Sequence, residues 1–425
     1  MSIPISWRRA VRTRWVAVIL IVCITIVVAA MVCYRLWLSS TGDLAAVIAM
    51  AKSQSIATST AEMGFVTDAP ERVKQWERLA TLSGRIGFWG RRRNSAESLQ
   101  GTSLAVGTPI PDALLQFHDS IDPQDLSDLL SLVDALDSGP IILRSDYSML
   151  SIFPELQTVR AVNQLLVQRV DLAPPEDLLR EIDRLLSCSA LLPDQSLTHC
   201  FASVGCLVRA LNAISRRLPD IRTDRAQVAD AISRRIKVLP QSFATSLVGS
   251  FAMHVALFTT LAPQLRLDQF GSACGGNGWD WLPNAAVIRL GRAHVLRDEL
   301  IWMQIVHLQQ YPSTLMQLAM EADDRQEQTV REGPGGALTA IFAMPHHTIY
   351  LPVHRAILHA QLLMAELLGR PWPADPFDPQ HRPLRPLQRH GRVVGAYSLG
   401  ESVEDLQGKK PNYYFALLEP LMPHD

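Results

Sequence analysis

Residues Trp15–Tyr34, WVAVILIVCITIVVAAMVCY, are a twenty-residue run without a charged side chain, closed by Arg14 and Arg35. At ~1.5 Å rise per residue a helix of this length spans ~30 Å, about one hydrocarbon core. Trp15 stands at one end and Tyr34 and Trp37 at the other, where an aromatic belt belongs. The run therefore predicts one transmembrane anchor over residues 15–38. Arg8, Arg9, Arg12 and Arg14 precede it with no acid among them, so the positive-inside rule predicts a cytoplasmic tail at 1–14 and a body outside the cytoplasm. A cleaved signal peptide is the alternative, but its apolar core is ordinarily ~7–15 residues long. The residues before Cys23 and Cys33 do not form a lipobox.

A second charge-free run, Ala244–Ala262, carries His254 and several Ser and Thr residues. A buried core helix accommodates these groups without exposing an imidazole to lipid, so this run reads as core and the anchor as the one span.

Outward from the anchor, the chain reads as helical. Asp43–Ala61 and Pro70–Leu82 carry apolar residues at helical spacing. Ser83–Pro111 is rich in glycine and arginine and reads as a linker. From Pro123 the pattern is regular: Asp125–Leu136, Pro154–Val170, Glu176–Leu192, Leu197–Leu218, Asp224–Leu239 and Ser242–Leu261, then Asn284–Gln310, Pro312–Gln328 and His354–Leu368. Pro174-Pro175 and Pro193-Asp194 turn the chain between helices. Helices of this length joined by short turns predict an antiparallel helical bundle or a stack of helical hairpins. Val393–Leu399 and Asn412–Leu417 are β-prone runs between turns and predict a small C-terminal β-hairpin. The fold class is mainly α. Its divisions are the tail at 1–14, the anchor at 15–38, membrane-proximal helices and linker at 39–110, an extracytoplasmic helical domain at 111–369 and a Pro-rich tail with the hairpin at 370–425.

No catalytic motif emerges. With a formal net charge of -1 the chain lacks the basic excess of a nucleic-acid binder. Gly271–Gly278 is glycine-dense but lacks the Lys-Ser/Thr ending of a nucleotide loop, and reads as a connector. Cys188, Cys200, Cys206 and Cys274 are candidate disulfide cysteines in an oxidising compartment; four cysteines allow three pairings, which the sequence leaves open. His346, His347, His354 and His359 cluster late, yet no HExxH occurs, and His354 and His359 are spaced for different faces of a helix. Asp146, Glu321 and His346 are the residues a hydrolase reading would gather. No cofactor is implied.

The tail carries a resemblance. Pro373–Asp378 (PADPFD), Arg382–Arg385 (RPLR), Gly395–Gly400 (GAYSLG) and Tyr414-Phe415 resemble the ending of bacterial membrane-anchored proteins, itself similar to the C-terminal strands of type II secretion major pseudopilins. The longer body, through Pro154–Leu166 and Arg209–Pro219, resembles a planctomycete-type group of membrane-anchored helical proteins. The resemblance implies a bacterial inner-membrane location. It also implies a calcium loop after the YSLG turn. Here that loop offers only Glu401, Glu404 and Asp405, and Pro386 replaces the usual Tyr after PLR. The prepilin peptidase motif is absent before Trp15.

The sequence thus predicts a membrane-tethered helical scaffold or protein-binding module, single-pass in the inner membrane. Its partners would be the bilayer, through residues 15–38, and a protein of the envelope. An accessory of a secretion apparatus and a hydrolase with an unrecognised site are the alternatives.

Overall fold

Proline opens three of the helices. In α1 (Pro70–Arg85), α2 (Pro123–Ala135) and α3 (Pro154–Leu172) it occupies the first turn. There its fixed φ suits the helix and its missing N–H costs nothing. Asp122 adds a side-chain cap to α2, accepting from the N–H groups of Gln124 and Asp125. Next come α4 (Leu178–Cys188) and α5 (Leu197–Arg217), the latter capped by Ser196, whose hydroxyl accepts from the His199 N–H. Helix α6 (Arg225–Ala256) continues into a π-helical turn, Leu257–Leu261. Helices α7 (Asn284–Leu308) and α8 (His346–Leu368) precede three strands, β1 (Arg385–Arg389), β2 (Arg392–Ser398) and β3 (Tyr413–Ala416).

The computed structural model describes residues 22, 24–32, 34–35, 43–86, 116, 118–137, 139–144, 153–261, 284–308, 318, 321, 323–324, 346–389, 391–400 and 413–417. They fall into two units, one drawn from Met1–Ile56, Leu257–Glu299 and Gln326–Ala343, the other from Ala57–Ala256, Leu300–Arg325 and Met344–Asp425. In the first unit residues 24–32 are helical, and Ile24, Ile26, Val27, Val28 and Met31 are exposed. A helix over residues 43–53 buries Leu44, Val47 and Ala51 along one stripe.

The second unit is a packed set of helices. Helix α3 lies against α4 and α5, and α8 lies against α5 and α6. The stripe Leu178, Ile182, Leu185 and Leu186 of α4 is buried, as is Leu207, Leu211 and Ile214 of α5. Charges bind the helices at their ends. Arg216 of α5 grips Asp171 of α3 through two hydrogen bonds of 3.0 and 2.7 Å. Arg217 donates to the carbonyls of Val170, Asp171 and Ala173, which α3 leaves unsatisfied at its C-terminus. Glu181, fully buried on α4, accepts from both Arg169 and Arg184.

Two expectations about the membrane are corrected. Helix Leu197–Arg217 and the continuous helical segment Arg225–Thr259, both mid-chain, are long and apolar enough to cross a membrane. The architecture of a single N-terminal span followed by a wholly separate bundle therefore does not stand. On sequence, Ala244–Ala262 is discounted as a span because His254 and its Ser and Thr neighbours would meet lipid. Ser246, Ser250 and His254 are indeed buried, and burial shields such groups inside a long apolar helix, so their presence does not exclude it as a candidate span. Both mid-chain helices are mostly buried. The single-pass inner-membrane topology with a cytoplasmic N-terminus is overturned on the same finding, because one N-terminal segment no longer determines the side on which the body sits. The oxidising compartment assumed for the cysteines loses its premise with it.

Two boundaries also shift. Helix α6 runs unbroken through Pro240, and α8 through Pro352. Pro240 is exposed, so water can reach the Ile236 carbonyl that loses its partner there.

The C-terminal element is a three-stranded antiparallel sheet in the order β1-β2-β3 rather than a hairpin of two runs. Ala396 stands opposite Pro386 on one side and Phe415 on the other. Pro386 sits on the edge strand, where a missing N–H is tolerated. A register shift between Leu387 and Gln388 bends that strand.

Candidate functional site

Helices α6 and α8 pack against each other, and both line a cleft of about 420 Å³. One wall is Ala226, Ala229, Asp230 and Ser233, at i, i+3, i+4 and i+7 on α6. The other is Gln361, Met364, Ala365 and Leu368, with the same spacing on α8. Arg370, Pro371 and Pro373 close it where the chain leaves α8. Ala229 and Ala365 are buried in the seam, while Ala226, Leu368 and Arg370 are exposed. A Gly369 residue at φ +62 ends α8, and the Arg370 N–H returns to the Ala365 carbonyl at 2.8 Å. That left-handed turn, easy for glycine, carries Arg370 to the cleft. Asp230 pairs with Arg234 at 3.5 Å.

None of the described candidate residues read from the sequence lines that cleft. Cys188, Cys200 and Cys206 are buried free thiols, and burial pushes the Cys188 thiol well up. Cys274, Glu401, Glu404, Asp405 and Asp146 lie outside the described residues, as does the loop 271–278. Glu321 is described only as an isolated exposed helical position, and the side chains of His346 and His347 lie outside the description. Among the described residues no group of three or more His, Cys, Asp or Glu side chains could hold a metal ion.

Two histidines instead serve packing. His354 stacks on Tyr350 with ring centroids 3.8 Å apart. His359 is buried against Phe415 of β3, 5.3 Å between centroids, with Nε2 3.3 Å from the Ser215 hydroxyl. The Ser215 hydroxyl donates to the Leu211 carbonyl, so it accepts from Nε2–H of His359. Desolvation lowers both imidazoles to about 3, with Arg355 adding to the effect at His359. The folded chain excludes a proton that an unfolded histidine takes up below 6.5, so this stability is full above 6.5 and is lost as pH falls towards 3. The urea midpoint of unfolding is expected to fall across that window, and His359→Gln, which keeps a donor but does not titrate, flattens the fall. An unchanged slope in the variant would remove His359 as the cause.

The tail motifs do meet, in a way their linear order conceals. Asp375, fully buried, accepts from the Phe377 N–H, the Ser398 hydroxyl and the Leu399 N–H at 3.0, 2.7 and 2.8 Å. Asp378 accepts from the Gln380 N–H, Arg382 and Arg385. Desolvation raises the Asp378 carboxyl, but the hydrogen bonds from Arg382, Gln380 and Arg385 outweigh it and bring it to about 2. These donors occupy the carboxylates, and the pair acts as a clasp between the DPFD loop and the end of β2. Only the pairing across 23 residues, which no local pattern encodes, was hidden from the sequence.

No protein-family model matches the chain, and no curated protein or solved structure matches it either.

Proposed function

We propose that the chain is a membrane-associated helical scaffold that binds a protein segment in the α6/α8 cleft. The observation that carries this reading is the cleft itself, walled by one stripe of α6 and one of α8 in which small and aliphatic side chains alternate with polar ones. A packed set of helices needs no catalytic residues to present such a surface. The exposed apolar side chains of residues 24–32 support contact with a lipid surface, as do the two apolar mid-chain helices. A photo-crosslinking amino acid at Gln361 or Ser233 of the full chain, activated in cells, tests it. Protein adducts are expected from both cleft positions and not from Arg180, an exposed residue on α4. Adducts to lipid alone, or an identical pattern from Arg180, would overturn the scaffold reading.

A further inference from the structure

Away from the cleft and independent of it, we infer that Ser196 is a nucleophile that takes the acyl group of a small carboxylic ester, with His199 as its base and Glu155 positioning that base. The three side chains form one chain of hydrogen bonds. Ser196 Oγ lies 2.8 Å from His199 Nδ1, and His199 Nε2 lies 3.1 Å from Glu155 Oε1. A carboxylate only accepts, so Nε2 carries the imidazole proton and Nδ1 offers its lone pair to the Ser196 hydroxyl. Nucleophile, base and orienting carboxylate stand in the order that activates a serine. No local pattern announces the arrangement, because Glu155 in the first turn of α3 stands 44 residues from His199.

The turn that carries Ser196 is held from several sides. Leu197 donates its N–H to Ser250 Oγ at 3.0 Å, the Gln195 carbonyl packs on Gly249, and Gln195 Nε2 donates to the Arg144 carbonyl at 3.0 Å. Phe153 sets its ring edge-on to His199, with centroids 4.6 Å apart. Such supports keep a nucleophile and its base in one geometry. Stabilisation of the oxyanion falls to α5, whose N-cap is Ser196. In its first turn Leu197 donates to Ser250, His199 to Ser196 Oγ and Cys200 to the Ser196 carbonyl. The Thr198 N–H makes no hydrogen bond among the described residues, and Thr198 is exposed. It is left, with the helix dipole, to meet the negative charge that forms as Oγ attacks. Ser196 is 2% exposed, so the acyl group that reaches it from the Thr198 side is small. Gln195 Oε1 is buried without a partner among the described residues and offers an acceptor beside Ser196 for the water that completes the reaction.

In the first step Ser196 Oγ bonds to the ester carbonyl carbon as its proton passes to His199 Nδ1. The bond to the alkoxy oxygen then breaks, and that oxygen leaves as an alcohol with the proton from His199. Water, deprotonated by the same imidazole, releases the acyl group as a carboxylic acid, and the proton returns to Ser196 Oγ.

The test treats the full chain with a small alkyl fluorophosphonate and, separately, with p-nitrophenyl acetate. The fluorophosphonate is expected to add one phosphonyl group, mapped to Ser196 by peptide mass, and to leave the urea-unfolded chain unlabelled. Ser196→Asn, whose side chain still caps α5, ends the labelling. His199→Gln slows nitrophenol release about a hundredfold. Glu155→Gln, which keeps the shape and loses the anion, lowers the limiting rate about tenfold and leaves the half-saturating ester concentration unchanged. An unlabelled Ser196, labelling that persists in Ser196→Asn, or a His199→Gln rate equal to that of the unaltered chain overturns the inference. An effect of Glu155→Gln on the half-saturating concentration alone overturns its positioning role. None of these readouts involves the cleft, so failure of the Gln361 crosslink and failure of Ser196 labelling are separate results.

Discussion

Gly249→Ala lowers the stability of the protein by about 3 kcal/mol or more, although alanine is the better helix former. A Cβ built on Gly249 lies 2.1 Å from the Gln195 carbonyl oxygen and 2.9 Å from its carbon. Both are backbone atoms, so no rotamer change relieves the clash. Helix α6 must move away from the 195–196 turn, and the neighbouring contact goes with it. Ser250 accepts from the Leu197 N–H at 3.0 Å, and that bond helps tie the start of α5 to α6. Gly205 supplies the control. It lies in α5 with nothing within 4 Å of its Cβ position. Gly205→Ala is expected to stabilise by up to about 1 kcal/mol through the ordinary helix preference. Urea or thermal unfolding of the two variants reads the contrast directly. If both shift in the same direction, the close approach of α6 to Gln195 is not real.

Asp375→Ala costs about 3–5 kcal/mol in the C-terminal element, because it strips a buried anion from several donors at once. The Phe377 N–H, the Ser398 hydroxyl and the Leu399 N–H are left buried without an acceptor. Arg385 retains Asp378 at 2.7 Å but loses the second carboxylate. Asp375→Asn keeps one acceptor oxygen and turns an amide donor towards donors, so a smaller loss is expected. Amide hydrogen exchange over Tyr397–Leu399 is the sensitive readout, with the exchange of α5 as internal reference. Faster exchange confined to β2 supports the clasp. Unchanged exchange in β2 would show that the sheet is held by other contacts.

These effects differ in how far they could be read from the chain. The apolar stripe of α4 is written in the order of Leu178, Ile182, Leu185 and Leu186, and the structure buries it. The starts of α1 to α3 are written in their prolines. Pro240 and Pro352 misled, because a proline inside a helix reads as a break when its surroundings are unknown. Strand β1 was missed because Pro386 and its polar neighbours lack a strand pattern, and pairing with β2 supplies what local preference does not. The cleft could not be read at all. Its two stripes, 226–233 and 361–368, stand more than a hundred residues apart in the chain, and only their meeting makes them two walls.

The sequence by itself determined a mostly helical chain, because periodicity, proline placement and caps act within a few residues of one another. It also determined that long apolar segments exist, since hydropathy is a local sum. Which apolar segments are covered was decided by the tertiary structure. The same composition that marks Leu197–Arg217 and Arg225–Thr259 as long enough to cross a membrane also suits helices buried against their neighbours. Burial is a property of neighbours, and neighbours are chosen by packing across the whole chain. For that reason the anchor at 15–38 could be recognised as apolar, but the topology drawn from it alone could not stand.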